Sequence, residues 1–442
     1  MAQTAKKHPK SMTPFLTIWG GQALSLAGSH IAQFALVWWL TKLSGSATVL
    51  AMATLAAVLP QIVLGPIAGA YVDRWNRRLV MIVADGAVAL AALGLVYLFW
   101  QGVAQIWHVY AIMLIRSIGG CFHWPAMQAS TTLMVPEKHL TRVAGFNQTL
   151  QGLLNIVGPP LGAFLLALLP LHSILLIDVG TALFAIVPLL FISVPQPERA
   201  QATSEAATPG AGTKAQSVWV DVRQGLQYIW RWPGLVLVIF MAMLINFILT
   251  PAFSLMPLLV TQHFQGNALQ LGWLEASWGS GVVLGGVLLG IWGGFKRRID
   301  TSLMGLFLMG SGILALGLTP ATMFWLAIGA MFITGFMTPI VNGPFFALLQ
   351  ATVAPEMQGR IFTVVISLST AITPLSLLTA GPVADVVGVR SWYMLGGLIC
   401  IVMGVVAYFV PAIRNIEQHS QRPISAEPSL HIPPLGAATR AE

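Results

Sequence analysis

Charge is what this chain has least of. Only 8% of its 442 residues are Asp, Glu, Lys or Arg, against about 25% in an ordinary soluble domain, which excludes a soluble globular protein. Cysteine is nearly absent. Cys121 and Cys400 are the two present, both inside apolar runs, so no disulfide framework is indicated. The chain has no Gly-x4-Gly-Lys-Ser/Thr loop, which excludes ATP hydrolysis through a P-loop. Gly279, Gly281, Gly285 and Gly286 sit inside an apolar run without the strand context of a dinucleotide site. No His, Cys or carboxylate spacing points to a metal, no cofactor is expected, and no clustered nucleophile set points to an enzyme.

What is present is apolar length. Hydrophobic residues make up 56% of the chain, and a membrane-crossing helix needs about 20 of them in succession. Twelve stretches qualify, at 14–40, 47–71, 79–100, 106–126, 142–168, 171–193, 235–260, 271–294, 301–319, 322–349, 359–383 and 390–411. The expectation is an all-α membrane protein of twelve transmembrane helices. The first stretch reads as a retained helix rather than a signal peptide.

The net charge of +8 invites a nucleic-acid reading that the positions of the charges refute. Nineteen of the 22 Lys and Arg fall in segments that alternate onto one side. They cluster at Lys6–Lys10, Arg74–Arg78, Lys138–Arg142, Arg199–Arg231, Lys296–Arg298, Arg360 and the tail. Lys42 and Arg390 lie in the opposite loops, and Arg116 lies within a span. The positive-inside rule then places both termini in the cytoplasm. The basic charge encodes topology, and nucleic acid is no partner.

Residues 195–233 divide the chain. They open with a Pro-rich flexible composition and continue into Trp219, Val222, Leu226 and Ile229 at helical spacing, which predicts a surface amphipathic helix over 217–232. The organisation expected is a cytoplasmic N-terminus (1–13), a six-helix half (14–194), the linker (195–233), a second six-helix half (234–411) and a disordered tail (412–442). The halves echo one another. Gly65-x3-Gly69 followed by Arg74, Arg77 and Arg78 recurs as Gly286-x3-Gly290 followed by Lys296, Arg297 and Arg298, with Gly294 where Asp73 stands. Pro136-Glu137 with Arg142 likewise matches Pro355-Glu356 with Arg360.

The segment Gly65-x3-Gly69-x3-Asp73-Arg74-x2-Arg77-Arg78 resembles the loop 2–3 signature of the major facilitator superfamily of secondary transporters. Arg116-Ser-Ile-Gly119-Gly120 resembles its intramembrane arginine motif. Gly158-Pro159-Pro160-Leu161-Gly162-Ala163 resembles its antiporter motif, departing at Ala163 and at Leu154. Stretches such as Gly21–Ser25, Phe122–Ala126 and Pro355–Phe362 are similar to the macrolide-efflux branch. The resemblance implies two pseudo-symmetric halves around a central cavity, with loop 2–3 closing the cytoplasmic side against span 11. Gly65, Gly69, Asp73, Arg74, Arg77, Arg78 and Asp85 are then the expected cytoplasmic gate, Asp73 its latch. Gly158, Pro159 and Gly162 are an expected pivot or seal.

Within the spans the carboxylates are Asp85, Asp178 and Glu275. An intramembrane charge is costly and must face a cavity or a partner, and burial disfavours the charged form of a carboxyl group, so such groups can take up and release protons. Arg116, Asp178 and Glu275 are the expected proton-coupling residues. Arg116 could equally lock two helices, Asp178 anchor packing, and Glu275 recognise a cation. Polar stripes at helical spacing mark faces that lipid would reject: Gln22, Ser25, Ser29 and Gln33 in span 1, Gln151 and Asn155 in span 5, Asn246 and Thr250 in span 7. With Trp278 they are the expected substrate cavity.

Together these readings predict a monomeric exporter in a bacterial inner membrane, moving a small amphiphilic molecule, macrolide-type antibiotics first, against protons. A siderophore or lysolipid exporter of the same fold is the nearest alternative. A non-transporting receptor or scaffold is the alternative from another class.

Overall fold

The structure is a computed structural model describing residues 12–72, 74–196, 229–230, 232–353 and 355–417. Asp73, most of the 195–233 linker and its predicted amphipathic helix, the first eleven residues and the tail beyond 417 lie outside the described residues. The side chains of Glu356 and Arg360 do too.

Everything described is helical or loop. The first half comprises α1 (Thr13–Ser44), α2 (Ala47–Val72), α3 (Arg77–Trp100), α4 (Ile106–Met134), α5 (Leu140–Leu168) and α6 (Leu171–Phe191). The second comprises α7 (Pro233–Ser254), α8 (Ala268–Trp292), α9 (Arg298–Leu318), α10 (Phe324–Thr352), α11 (Pro355–Ala371), α12 (Thr373–Val387) and α13 (Val389–Phe409), followed by the short α14 (Pro411–Arg414).

Eleven stretches of helix among the described residues are long and apolar enough to cross a membrane. The twelfth crossing is α4, equally long at 29 residues but diluted by His108, Arg116, His123 and Gln128. Large side chains such as Phe191, Ile291 and Val386 are more than 80% exposed on the outer surface, which only a lipid surround makes inexpensive.

Two expected spans are interrupted. Span 11 is interrupted at Ile372 between α11 and α12, where Pro374 removes a backbone donor from the first turn of α12. Span 7 stops as regular helix at Ser254 and continues through a short turn around Pro257 and a π-helical segment, Leu259–His263.

The internal repeat has a structural counterpart. Arg77, at the start of α3, donates to the Ala129 carbonyl of α4 at 2.8 Å; Arg298, at the start of α9, donates to the Ala347 carbonyl of α10 at 2.8 Å. Arg78 donates to the Leu189 and Leu190 carbonyls that end α6. Cations satisfy helix-end carbonyls and favour the negative end of the dipole. These arginines therefore fasten helices within each half.

Contact between the halves gathers at the end opposite the basic loops. Asp385, near the end of α12, accepts hydrogen bonds from Ser46 Oγ (2.9 Å), Ala47 N (2.6 Å), Thr48 N (3.0 Å) and Thr48 Oγ1 (2.7 Å) at the start of α2. Gln262 donates to the Gly45 carbonyl at 2.8 Å, and Thr54 meets Ser254 at 2.6 Å. Gly381 lies so close to α2 that a Cβ there would sit 2.7 Å from Thr48 Cα. By contrast, a Cβ on Gly65 or Gly69 would meet nothing described within 4 Å.

Candidate functional site

Two cavities hold the intramembrane charged groups Asp85, Arg116, Asp178 and Glu275. The first, about 210 Å³, lies inside the first half among α1, α3, α4 and α6. Its centre is an ion pair: Arg116 Nη1 is 2.8 Å from Asp178 Oδ2, with Nη2 3.4 Å from Oδ1. Ser29 Oγ donates to Asp178 Oδ1 at 2.9 Å. The approach of α1 to α6 that allows this depends on Gly28, where a Cβ would lie 2.1 Å from Thr181 Oγ1 and 3.3 Å from Asp178 Cα.

Two turns further along α4, His123 Nε2 stands 3.4 Å from Asp85 Oδ1, and Gln22 Nε2 donates to Asp85 Oδ2 at 3.0 Å. Asp85 is thus brought to the Arg116–Asp178 cavity, and its partners are Gln22 and His123 rather than the loop 2–3 arginines. Gln22, Ser25 and Ser29 line this cavity with it.

The Arg116–Asp178 pair is 13% and 4% exposed by side chain. Removing one partner of such a pair strands the other charge, at a cost of about 3–5 kcal/mol. Arg116→Ala is accordingly expected to lower the melting temperature of the purified protein sharply. Adding Asp178→Asn should recover most of the loss, because the stranded charge then disappears. A double variant no more stable than Arg116→Ala would contradict this account.

The second cavity, about 270 Å³, lies between the halves and is lined by His30 of α1, Asn155 and Pro159 of α5, Phe253 of α7, Met256, and Glu275 and Trp278 of α8. Helix α8 begins at Ala268, so Glu275 lies seven residues in, about 10 Å from its end at 1.5 Å per residue. Its carboxylate has no hydrogen-bond or ion-pair partner among the described residues. Trp278 Nε1 is likewise buried without a partner. The Phe253 and Trp278 rings meet edge to face at 5.2 Å. The seam that closes this cavity on one side is Gly272 against the Pro159–Pro160 pair: a Cβ on Gly272 would come within 3.1 Å of both prolines. The antiporter-like segment therefore forms part of the junction between halves, while Gly162 packs on Phe34 within α1.

Of the stripe residues, Gln33, Gln151, Asn246 and Thr250 line neither of these cavities. Asn246 Nδ2 donates to the Ala242 carbonyl of its own helix at 2.9 Å. Three contributors escaped the sequence reading: His30, His123 and Asp385. His123 lies seven residues from Arg116, on the same helical face, and that spacing was the available signal.

A carboxylate lining a cavity with Phe253 and Trp278 between two six-helix halves, and a buried Arg–Asp pair within the first half, mark a polytopic membrane protein. The Major Facilitator Superfamily model matches residues 18–363 and 235–438, and the chain belongs to that family; it is a multi-pass membrane transporter, not an enzyme. It is 33% identical over 416 residues to macrolide efflux protein A of Streptococcus pyogenes, covering 93% of this chain and 99% of that protein. It is 28% identical to the multidrug efflux pump Tap of Mycolicibacterium fortuitum, covering 92% and 98%. The crystal structure of a bacterial homologue of the iron transporter ferroportin shares the fold, with a TM-score of 0.65 at 13% identity, covering 93% of this chain and 99% of that one.

Proposed function

We propose that this protein exports amphiphilic, drug-like molecules, macrolide-type antibiotics first, across a bacterial inner membrane in exchange for protons. The observation that carries the reading is Glu275, a carboxylate without a partner, facing a cavity between the halves beside Trp278 and Phe253. An anionic side chain that shares a cavity with two aromatic rings suits a tertiary amine or other cation on a bulky apolar body. The same carboxyl can carry a proton when the cation leaves, which is the elementary requirement of antiport. Relatives that bear the names of macrolide and multidrug efflux proteins support the cargo class.

In this cycle the described state is closed at the end away from the basic loops, with both termini cytoplasmic by the positive-inside rule. It is the inward-facing member of an alternating pair, and the chain works as a monomer. Arg116 and Asp178 act with Glu275 in proton coupling. Gly65, Gly69, Arg74, Arg77 and Arg78, with Asp73, form the cytoplasmic gate that engages in the opposite state. One charge crossing 100 mV releases about 2.3 kcal/mol, and each tenfold gradient costs about 1.4 kcal/mol. For a neutral cargo one proton therefore sustains somewhat under two decades of gradient from the potential alone; for a cationic cargo one-for-one exchange moves no net charge, and the pH gradient drives it.

A siderophore, usually anionic, is disfavoured by a cavity whose charged residue is a glutamate. The test is accumulation of a labelled macrolide in cells with and without the protein, each with and without an uncoupler. Lower accumulation only in energised cells that contain the protein is expected. Equal accumulation in all four conditions would remove macrolides as cargo.

A further inference from the structure

A large cavity lies outside the transport machinery. A groove of about 790 Å³ runs between α9 and α13 on the lipid-facing side of the second half. Its mouth is at the basic end, where the exposed Lys296 and Arg297 precede α9. From there the walls are apolar: Leu303, Phe307, Val405 and Phe409, the last 75% exposed. The floor is Gly404, where a Cβ would come within 3.3 Å of the Leu303 carbonyl and Phe307 N. Phe307 is nine residues along α9 from Arg298, so the groove reaches about 14 Å inward at 1.5 Å per residue. That is close to half of a hydrocarbon core about 30 Å thick.

We infer that this groove is a binding site for an anionic phospholipid of the same leaflet as the basic loops. Its phosphodiester sits at Lys296 and Arg297, and one acyl chain lies along α9 and α13. Charge and depth are matched in the order a lipid presents them: cations at the water boundary, then apolar wall to mid-leaflet. Two carboxylates stand near the mouth and are part of the balance. Asp300 lines the groove, and Glu417 accepts from Ile299 N at 3.1 Å, so the head of α9 is already occupied by an anion. Arg414 lies over the Tyr408 ring, 4.7 Å from its centroid, and adds a third cation at the same boundary. The mouth therefore carries Lys296, Arg297 and Arg414 against Asp300 and Glu417, a net positive charge. That sign disfavours the cationic amphiphiles proposed as cargo, so the groove is no entry path for them. An anionic lipid near a basic side chain gains about 1 kcal/mol per Lys or Arg.

The full-length protein, purified in mild detergent, would be titrated with phosphatidylglycerol, phosphatidylethanolamine and phosphatidylcholine of identical acyl chains. Retained lipids are counted by native mass spectrometry. One phosphatidylglycerol should be held at about 30-fold lower concentration than either zwitterionic lipid, the fold-change that two basic contacts of about 1 kcal/mol each give. Lys296→Gln with Arg297→Gln should abolish that preference. Lys138→Gln with Arg142→Gln, an exposed pair at the same membrane boundary in the first half, should leave it intact. Equal retention of the three lipids, equal loss in both double variants, or no retained lipid (the result if residues 418–442 filled the groove) would overturn the assignment.

Discussion

Glu275→Gln should lose at least tenfold in uncoupler-sensitive export while the protein remains folded in the membrane. Two effects combine in this one group. In the proposed cycle its carboxylate is the negative partner for a cation beside Trp278 and Phe253, and with His30 it is one of two groups lining the cavity that can exchange a proton. Glutamine has nearly the same shape but neither charge nor proton. The aromatic contacts survive the substitution, but a hydrogen-bonded charge contact worth about 1.5–3 kcal/mol is lost, so tenfold, about 1.4 kcal/mol, is a conservative floor. The two roles separate on a neutral cargo analogue. Binding of the neutral molecule should survive Glu275→Gln, whereas its proton-driven export should fail with that of the cation. Wild-type export of both cargoes by the variant would end the assignment. Continued export of the neutral analogue alone would reduce Glu275 to a recognition group and pass coupling to Arg116 and Asp178.

Arg116 shows how much of this was legible in the sequence. A guanidinium ten residues into an apolar run must have a partner, so its importance follows from one-dimensional pattern and bilayer physics. That the partner is Asp178 does not follow. It requires α4 and α6 to approach one cavity, and Gly28 to let α1 bring Ser29 beside them. Asp85 illustrates the same limit from the other side. Its helix position suggested the nearby arginines, but those reach back to carbonyls of α4 and α6, which leaves Asp85 to Gln22 and His123.

Among the stripe residues that line neither cavity, Asn246 shows a local reason. A mid-helix Asn can satisfy itself on the preceding turn, as Asn246 does on Ala242, so a polar face need not line a cavity. The twelve crossings were readable to within a few residues at most ends, with α4 running eight residues past its predicted end at 126, because hydrophobic length is a direct property of sequence. The break between α11 and α12 was not, although Pro374 marks it. Asp385 was missed for the simplest cause: it lies two residues beyond the apolar stretch ending at 383 and read as a loop residue, whereas α12 continues to Val387.

That missed residue gives the second large expectation. Helix α8 begins with its own cap, Asn267 and Gln270 satisfying each other's backbone groups. The start of α2 draws instead on the opposite half, through the four bonds from Ser46, Ala47 and Thr48 to Asp385. An anion at a helix N-terminus contributes about 0.3–2 kcal/mol, and hydrogen bonds to charged groups about 1.5–3 kcal/mol each before water replaces them. A net of about 2 kcal/mol for the closed outer face is a moderate figure, equivalent to about 30-fold in the open-to-closed ratio. Asp385→Ala should therefore move the protein about 30-fold toward the state open at that end, and Asp385→Asn, which keeps one acceptor, by less. Thr54→Cys provides the reporter, because Thr54 meets Ser254 directly beneath the latch. The native Cys121 and Cys400 are buried and give little background. A membrane-impermeant maleimide applied from outside should label the Thr54→Cys protein slowly, and the Thr54→Cys, Asp385→Ala protein tens of times faster. Export should fall in the latter, since in the proposed cycle the inward-facing state that loads cargo is depleted. Identical labelling rates in the two proteins would show that the outer face is held shut by the packing of Gly381 and Leu377 against α2, with the carboxylate incidental.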